Sequence, residues 1–471
     1  MEDYSEIVRT KRANDKLQLA KMCKECPASC QCANREINCN GQRLTSVPSV
    51  LQQYNYDKLD LSNNFLTVIG PDAFAPFGVK EILLSHNNIT HIENYAFRGL
   101  ENKVEKLDIS NNKLTVLPDA LSHLNTLSTL DVSGNPIPAS GFTEQIMRAI
   151  GNTLTKFVFG HPTVLTKWPS STSHFPRLTD LELNGAYIFY LPQNSFHSFE
   201  RTLTNLTIKN TQMSTVPLGL SRLPRLTEFH FDHNLNAGDD GIIEQSFVGL
   251  SRLRILSLRD NGLNRFPFVL KPLVELNDLS LDDNKLLVIS DEAVKYINNS
   301  RIQNLRLVNC SLDRIPGAIT GRNGNLQHLQ LLDFSKNNIK SLDRTDLQNL
   351  HSLQTLSLAG NKNLSYVSDS ALSNLPSLEY IDFSNTHLQT IPNALKNIPN
   401  LRYLNLLNDD IECTCDLVDF KLRVDTWPLG SGRIIGNCAT ISSNIRNYLD
   451  RFVVNCPDYV TKHATNVHNC L

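Results

Sequence analysis

Leu253 to Pro267 reads LRILSLRDNGLNRFP, and its skeleton is Leu253-x-x-Leu256-x-Leu258-x-x-Asn261-x-Leu263-x-x-Phe266-Pro267. That skeleton returns every 23 to 27 residues from Tyr56 to Ile411. A fixed period of this length decides the architecture before any local propensity is weighed, because each copy is one structural unit stacked on the next. The copies start at Tyr56, Val79, Val104, Leu127, Leu154, Leu178, Leu203, Leu226, Leu253, Leu276, Ile302, Leu329, Leu353, Leu378 and Leu401, which makes fifteen. Within each, the x-Leu-x-Leu-x core alternates with period two, the mark of a strand with one buried face. The half after the Asn carries a second apolar set, such as Phe97 and Leu100, on irregular or short helical backbone. Pro48, Pro118, Pro192, Pro217, Pro267, Pro316 and Pro392 recur where that half begins, at a bend that needs no ladder donor.

These features predict an α/β fold: a repeat solenoid, curved like a horseshoe, with a parallel sheet on the concave face. No unit can bury its leucines alone, so both ends need covers. The eleven cysteines fall there, with five between Cys23 and Cys39, five between Cys413 and Cys470, and Cys310 alone between them. Such clusters suggest disulfide-stapled ends and an oxidising compartment. The expected organisation is a tail at 1–22, a cysteine-rich cap at 23–55, the fifteen repeats at 56–411 and a second cap at 412–471. Hydrophobic residues make up 41% and the net charge is -2, which excludes a disordered chain and argues against a nucleic-acid binder.

Residues 1–22 contain no apolar run of signal-peptide length, and no stretch approaches a membrane span. The reading adopted is a chain that starts downstream of its signal, hence an extracellular or cell-surface protein; an intracellular protein is the alternative. Arg9-Thr10-Lys11-Arg12 reads either as a proprotein-cleavage site or as a solvated basic tail.

The Asn of the skeleton is expected to hydrogen-bond backbone that a buried bend would leave unpaired. It is present at Asn64, Asn87, Asn112 and Asn135, then replaced by Pro162, Ala186 and Thr211. It resumes at Asn234, Asn261 and Asn284; Cys310 substitutes, Asn337 and Asn361 follow, and Thr386 and Asp409 end the series. The solenoid is therefore expected to be irregular between about 135 and 250, with a change of curvature or a lost strand pairing. A short helix is expected within Ser140–Ile150, with a Ser or Thr cap, and a polar loop at Asn236–Gly241.

The repeat resembles the extracellular leucine-rich repeat in its 24-residue form. Cys26, Cys30, Cys32 and Cys39 resemble the N-terminal flanking cap of that superfamily; Cys413-Thr414-Cys415, Cys438 and Cys456 resemble its C-terminal cap. Slit-like proteins, Toll-type ectodomains and acid-labile-subunit proteins share the layout. The resemblance implies the pairs Cys26–Cys32, Cys30–Cys39, Cys413–Cys438 and Cys415–Cys456. It implies a non-enzymatic scaffold that binds a protein ligand or receptor through its concave face. The alternative is a non-catalytic carrier or regulatory subunit of a complex with a secreted enzyme or hormone. No cofactor is implied.

The strand register gives candidate ligand residues: an acidic middle of Asp180, Glu182, Glu228, His230, Asp232, Asp278 and Asp282, with Arg259 between, and the aromatic pair Tyr380 and Tyr403. The acidic set reads as a patch for a cationic partner, as a metal site or as solvated polar surface. Residues two apart on a strand are about 6.6 Å apart, too far to converge on one ion, so no metal is assigned. The tyrosines read as a binding anchor or as a cross-strand pair that stabilises the sheet. Glycosylation is expected at Asn88, Asn205, Asn298 and Asn363, and not at Asn309 beside Cys310. Cys23 and Cys470 read as free thiols, as partners that shuffle with their caps, or as links between two chains in a dimer.

Overall fold

The computed structural model describes residues 26–48, 56–287, 289–290, 301–320, 326–427, 432–459 and 461–462. The tail 1–22, Cys23, Asn298 and Cys470 lie outside them. The chain forms two compact units, one of 1–213 with 217–226 and one of 214–216 with 227–471.

Each repeat core forms a strand because its alternate apolar side chains are buried while the residues between them stay on the open face. In the first unit, Gln31–Ala33 and Glu36–Asn38 form an antiparallel hairpin, and Glu36–Asn38 then pairs in parallel with Lys58–Asp60. The parallel ladder continues through Glu81–Leu83, Lys106–Asp108, Thr129–Asp131, Lys156–Phe159 and Asp180–Asn184 to Asn205–Lys209. In the second unit it runs from Glu228–Asp232 through Ile255–Ser257, Asp278–Ser280, Asn304–Arg306 and Leu331–Asp333. Thr355–Ser357, Tyr380–Asp382, Tyr403–Asn405 and Arg433–Ile435 complete it. Like position faces like position throughout, so Leu256, Leu279, Leu305 and Leu332 stack as one fully buried column. Each unit is thus a repeat solenoid built on a parallel strand ladder.

The skeleton Asn closes each bend. The Asn337 side-chain amide donates to Leu307 O at 2.7 Å and Phe334 O at 2.8 Å, and its Oδ1 accepts from Cys310 N and Leu312 N. Asn64, Asn87, Asn112, Asn135, Asn284 and Asn361 bridge in the same way between their own repeat and the one before. The residue just before the Asn takes a left-handed backbone: Asn63, His86, Asn111, His233, Asp260, Asp283, Lys336, Asn385 and Asn408 all have φ between 50° and 61°. Gly, Asn and Asp tolerate that region best, which accounts for the polar pair at the end of most strands.

Between 135 and 209 the expected loss of a strand pairing does not occur. No pairing is lost from Thr129–Asp131 to Asn205–Lys209; instead Asp180–Asn184 and Asn205–Lys209 lengthen to five residues. Pro162, Ala186 and Thr211 stand in place of Asn here, yet strand length does not follow the amide: Lys156–Phe159 has four residues, and Glu228–Asp232, ahead of Asn234, has five. Leu183 pairs with Ile208 and Asn184 with Lys209, so the strand ladder satisfies groups that the amide serves elsewhere.

Opposite the strands, Pro118, Pro217, Pro267 and Pro392 each stand immediately before a short 3-10 helix. The helix expected near 140–150 is Glu144–Gly151, which buries Ile146, Met147 and Ile150; its N-cap Thr143 makes no side-chain cap bond. The segment expected as a polar loop contains the helical turn Gly238–Gly241 instead. It is pinned because a Cβ on Gly241 would lie 2.3 Å from Ser214 O, and because Asp239 Oδ1 accepts from Asn264 N and Arg265 N. Near the ends, disulfides join Cys26 to Cys32, Cys30 to Cys39, Cys413 to Cys438 and Cys415 to Cys456. Cys310 is a free, fully buried thiol, donating to Leu281 O at 3.3 Å, and burial pushes its pKa up to about 12.

Candidate functional site

The strands of the second unit present their open-face residues at the second, fourth and sixth places after each repeat start. His230, Asp232, Arg259, Asp278 and Asp282, all singled out from the sequence, line one shallow depression of about 350 Å³. Ser257, Ser280, Asn304 and Arg306 complete its polar lining. Glu228 faces Ile255 in register but is not part of the lining. Asp180 and Glu182 belong to the first unit.

The carboxylates here are not free acids awaiting a cation. Asp232 Oδ1 accepts from Ser257 Oγ at 2.7 Å and from Arg259 N at 3.0 Å. Asp282, two repeats along, is held in a similar way: Oδ1 accepts from Val308 N at 2.8 Å and Oδ2 from Arg306 Nε at 3.2 Å. Only 9% of the Asp282 side chain is exposed, so it is framework, with its charge offset by Arg306. Asp278 accepts from the Asn304 amide. Arg306 also reaches Asp333 at 3.7 Å, and Arg259 pairs with Asp283 at 2.7 Å. Burial raises the Asp283 pKa, but donors from Asn309 and Arg259 outweigh it and hold the carboxyl below its ordinary range. Half of each Arg259 and Arg306 side chain remains open to solvent, as does a third of His230. The exposed chemistry is therefore cationic and hydrogen-bonding, over a buried acidic floor.

Arg306 and Asn304 are not among the candidates singled out from the sequence. Their signal was the register itself: Asn304 is equivalent to the candidate Asp278 one strand earlier, and Arg306 stands two residues on, opposite Ser280.

In the first unit, Glu182 is paired with Lys209 at 2.7 Å and Asp180 accepts from Thr179 Oγ1 at 2.6 Å. Asp131 lies in the same column. Burial pushes its pKa up to about 6 against two donors from Ser133, and Asp108 and Glu182 add to the rise. Further along the second unit, the Tyr380 and Tyr403 rings are stacked, 4.1 Å between centroids and 9° between planes. Burial and the neighbouring Tyr403 hydroxyl push the Tyr380 phenol up to about 12.

Asn205 lies on the open face of its strand, Asn88 is half-buried and Asn363 is exposed. Asn309 is exposed but donates to Asp283 Oδ1 at 2.8 Å. Among the described residues, no three His, Cys, Asp or Glu side chains converge as metal ligands.

Known proteins share this architecture. The family model described as leucine rich repeat matches residues 55–102, 78–137, 300–362 and 360–411, and the leucine rich repeat N-terminal domain matches 25–52. Mouse podocan is 26% identical over 404 residues, covering 78% of this chain, and the chain spans 62% of podocan's length. Mouse podocan-like protein 1 is 26% identical over 402 residues, covering 78% of this chain and 68% of that protein. A solved leucine-rich repeat protein of Leptospira interrogans superposes with a TM-score of 0.54 at 21% identity, covering 88% of this chain and 98% of that one, a likeness of fold. The chain belongs to the leucine-rich repeat superfamily and carries that superfamily's N-terminal cap.

Proposed function

We propose that this protein is an extracellular recognition scaffold whose second unit meets a protein ligand on the open face of its strands. The observation that carries the reading is the single depression lined by His230, Asp232, Arg259, Asp278 and Asp282. The Arg306 guanidinium is held by buried Asp282 and the Arg259 guanidinium by half-buried Asp283, and arginines so positioned suit carboxylates on a partner. The stacked tyrosines of the same unit supply flat, rigid anchors of the kind that dominate interface energetics. Four disulfides fit an oxidising compartment, and among the described residues no helix is long and apolar enough to cross a membrane. We assign 23–55 and 412–471 as the caps and 56–411 as the repeats. We place N-glycans at Asn88, Asn205, Asn298 and Asn363, to be read by glycopeptide mapping. A glycan at Asn205 would stand on the strand face of the first unit and leave the second unit for the ligand.

The scaffold acts by shape and charge, without turnover. Ser257 Oγ is held by Asp232, and the His230 ring is 3.9 Å from the same carboxylate, so no base is set on that hydroxyl by the histidine. Native pull-down from the source tissue tests the reading. Arg306→Ala and Tyr403→Ala should each weaken the captured protein ligand by about tenfold or more. Arg314→Ala, an 83% exposed side chain paired only with its neighbour Asp313, should leave capture unchanged. Equal capture by all three variants would refute the strand face as the ligand surface. A partner recovered in stoichiometric amount at every step would instead favour the carrier or subunit role.

A further inference from the structure

The amide ladder sets a rule that its last member obeys only in one protonation state. At each Asn rung the Oδ1 accepts backbone N–H groups from the repeat before, and the Nδ2 donates into backbone carbonyls of both repeats. Asn361, for example, accepts from Ile339 N and donates to Phe334 O at 3.0 Å and Leu358 O at 2.8 Å. The rule survives substitution, since the thiol of Cys310 also donates, to Leu281 O and Val308 O. The Asn amides and the Cys310 thiol thus each present a donor to that notch.

Asp409 occupies the final rung. Its Oδ1 reproduces the acceptor half, taking Thr386 N at 2.6 Å and Thr386 Oγ1 at 3.0 Å. By register the carbonyls that a rung amide would meet here are those of Phe383 and Leu406, and the Asp409 Oδ2 is the atom that replaces the amide nitrogen. That oxygen is buried and has no hydrogen-bond partner, and the whole residue is only 7% exposed. An ionised Oδ2 would set a lone pair against carbonyl oxygens, whereas a protonated one supplies the missing donor. We propose that Asp409 is a proton-controlled latch: its neutral acid closes the joint between the last two repeats, and its ionisation loosens that joint.

The charged groups acting on Asp409 are Asp382, on the preceding repeat, and Asp410 beside it, and both favour the proton. On the cap side, Ile411 is bridged to Cys438, which is bonded to Cys413, and these groups carry no charge; Glu412 follows, with its N–H on Gln389 O. Burial is the main cause that pushes the carboxyl up to about 6, and the two Thr386 donors oppose it. In the unfolded chain an aspartate titrates near ~4. The folded joint therefore binds the proton more tightly. Its stabilisation is full below about pH 4, declines as pH rises, and is gone once pH has passed through about 6.

The test is hydrogen exchange on the full-length, disulfide-intact protein, read on peptides covering 383–412 from pH 4.5 to 7.5 and corrected for the intrinsic rate. Wild type should lose protection across the window by about 25-fold, the part of a two-unit pKa shift that lies above pH 4.5. Asp409→Asn places the usual amide on the rung, so it should stay protected at every pH and be the more stable protein at neutral pH. Thr386→Val removes a donor that favours the ionised form, so the midpoint should move to higher pH. A flat wild-type profile, an Asp409→Asn profile that tracks wild type, or a midpoint lowered by Thr386→Val would each overturn the latch.

Discussion

A single side chain carries unusual weight in this molecule when it sits on the amide ladder. Asn337 serves two carbonyls and two N–H groups at once, at a position only 4% exposed. Truncating it strands three buried backbone groups, Leu307 O, Cys310 N and Leu312 N, while Phe334 O keeps the Asn361 amide; each stranded group costs about 1–3 kcal/mol when water cannot reach it. Partial relaxation and water entry will recover part of that. Asn337→Ala should therefore destabilise the second unit by about 3 kcal/mol or more, seen as a lower denaturation midpoint with an unchanged slope. A loss below about 1 kcal/mol would show that water takes over the amide's role. Ladder asparagines were legible in the sequence because they recur at one place in the period. The left-handed residue before each of them was not read, because Asn, His, Asp and Lys share no side-chain chemistry. What they share is φ, which only the backbone shows.

At the scale of the element, the departure lies in the strands without the ladder. Their missing Asn pointed to a change of curvature or a lost pairing, and through Asn205–Lys209 no pairing is lost, because extended backbone finds its partners in the neighbouring strand without the amide. This arrangement brings backbones together. A Cβ on Gly160, whose φ is 140°, would lie 2.0 Å from Asn184 O. Gly160→Ala combines that clash with a backbone conformation that L residues avoid, and should cost about 2 kcal/mol or more. Thermal unfolding checks this, and an unchanged melting temperature would show that the two strands separate at no cost. The candidate site follows the same logic. Asp232 and Asp282 were legible as open-face positions, but their role as supports for Arg259 and Arg306 depends on groups one strand away.

For the whole molecule, the solenoid principle makes stability a sum over neighbours, so each end is only as firm as its cover. The Cys415–Cys456 bond closes a loop of 41 residues, and losing a bond of that reach costs about 2–5 kcal/mol. The pair Cys415→Ser with Cys456→Ser should fray the chain from its C-terminal end. In hydrogen exchange, peptides from 401 to 456 should open first while those between 58 and 131 keep their protection. Simultaneous opening of both regions would mean that the chain unfolds as one cooperative body and that the neighbour sum fails here.

The sequence by itself determined the period, the buried leucine columns, the ladder positions and the clustering of cysteines at the ends. All of these are written along one dimension, and a repeat in space must be a repeat in sequence. Tertiary structure alone decided which charges cancel, where Arg259 and Arg306 stand over their carboxylates, and that the last rung lacks a donor. Those depend on which atoms of adjacent repeats meet. At Asp409 the composition reads as one more acidic residue, whereas the neighbouring repeat's backbone makes it a position that asks for a proton.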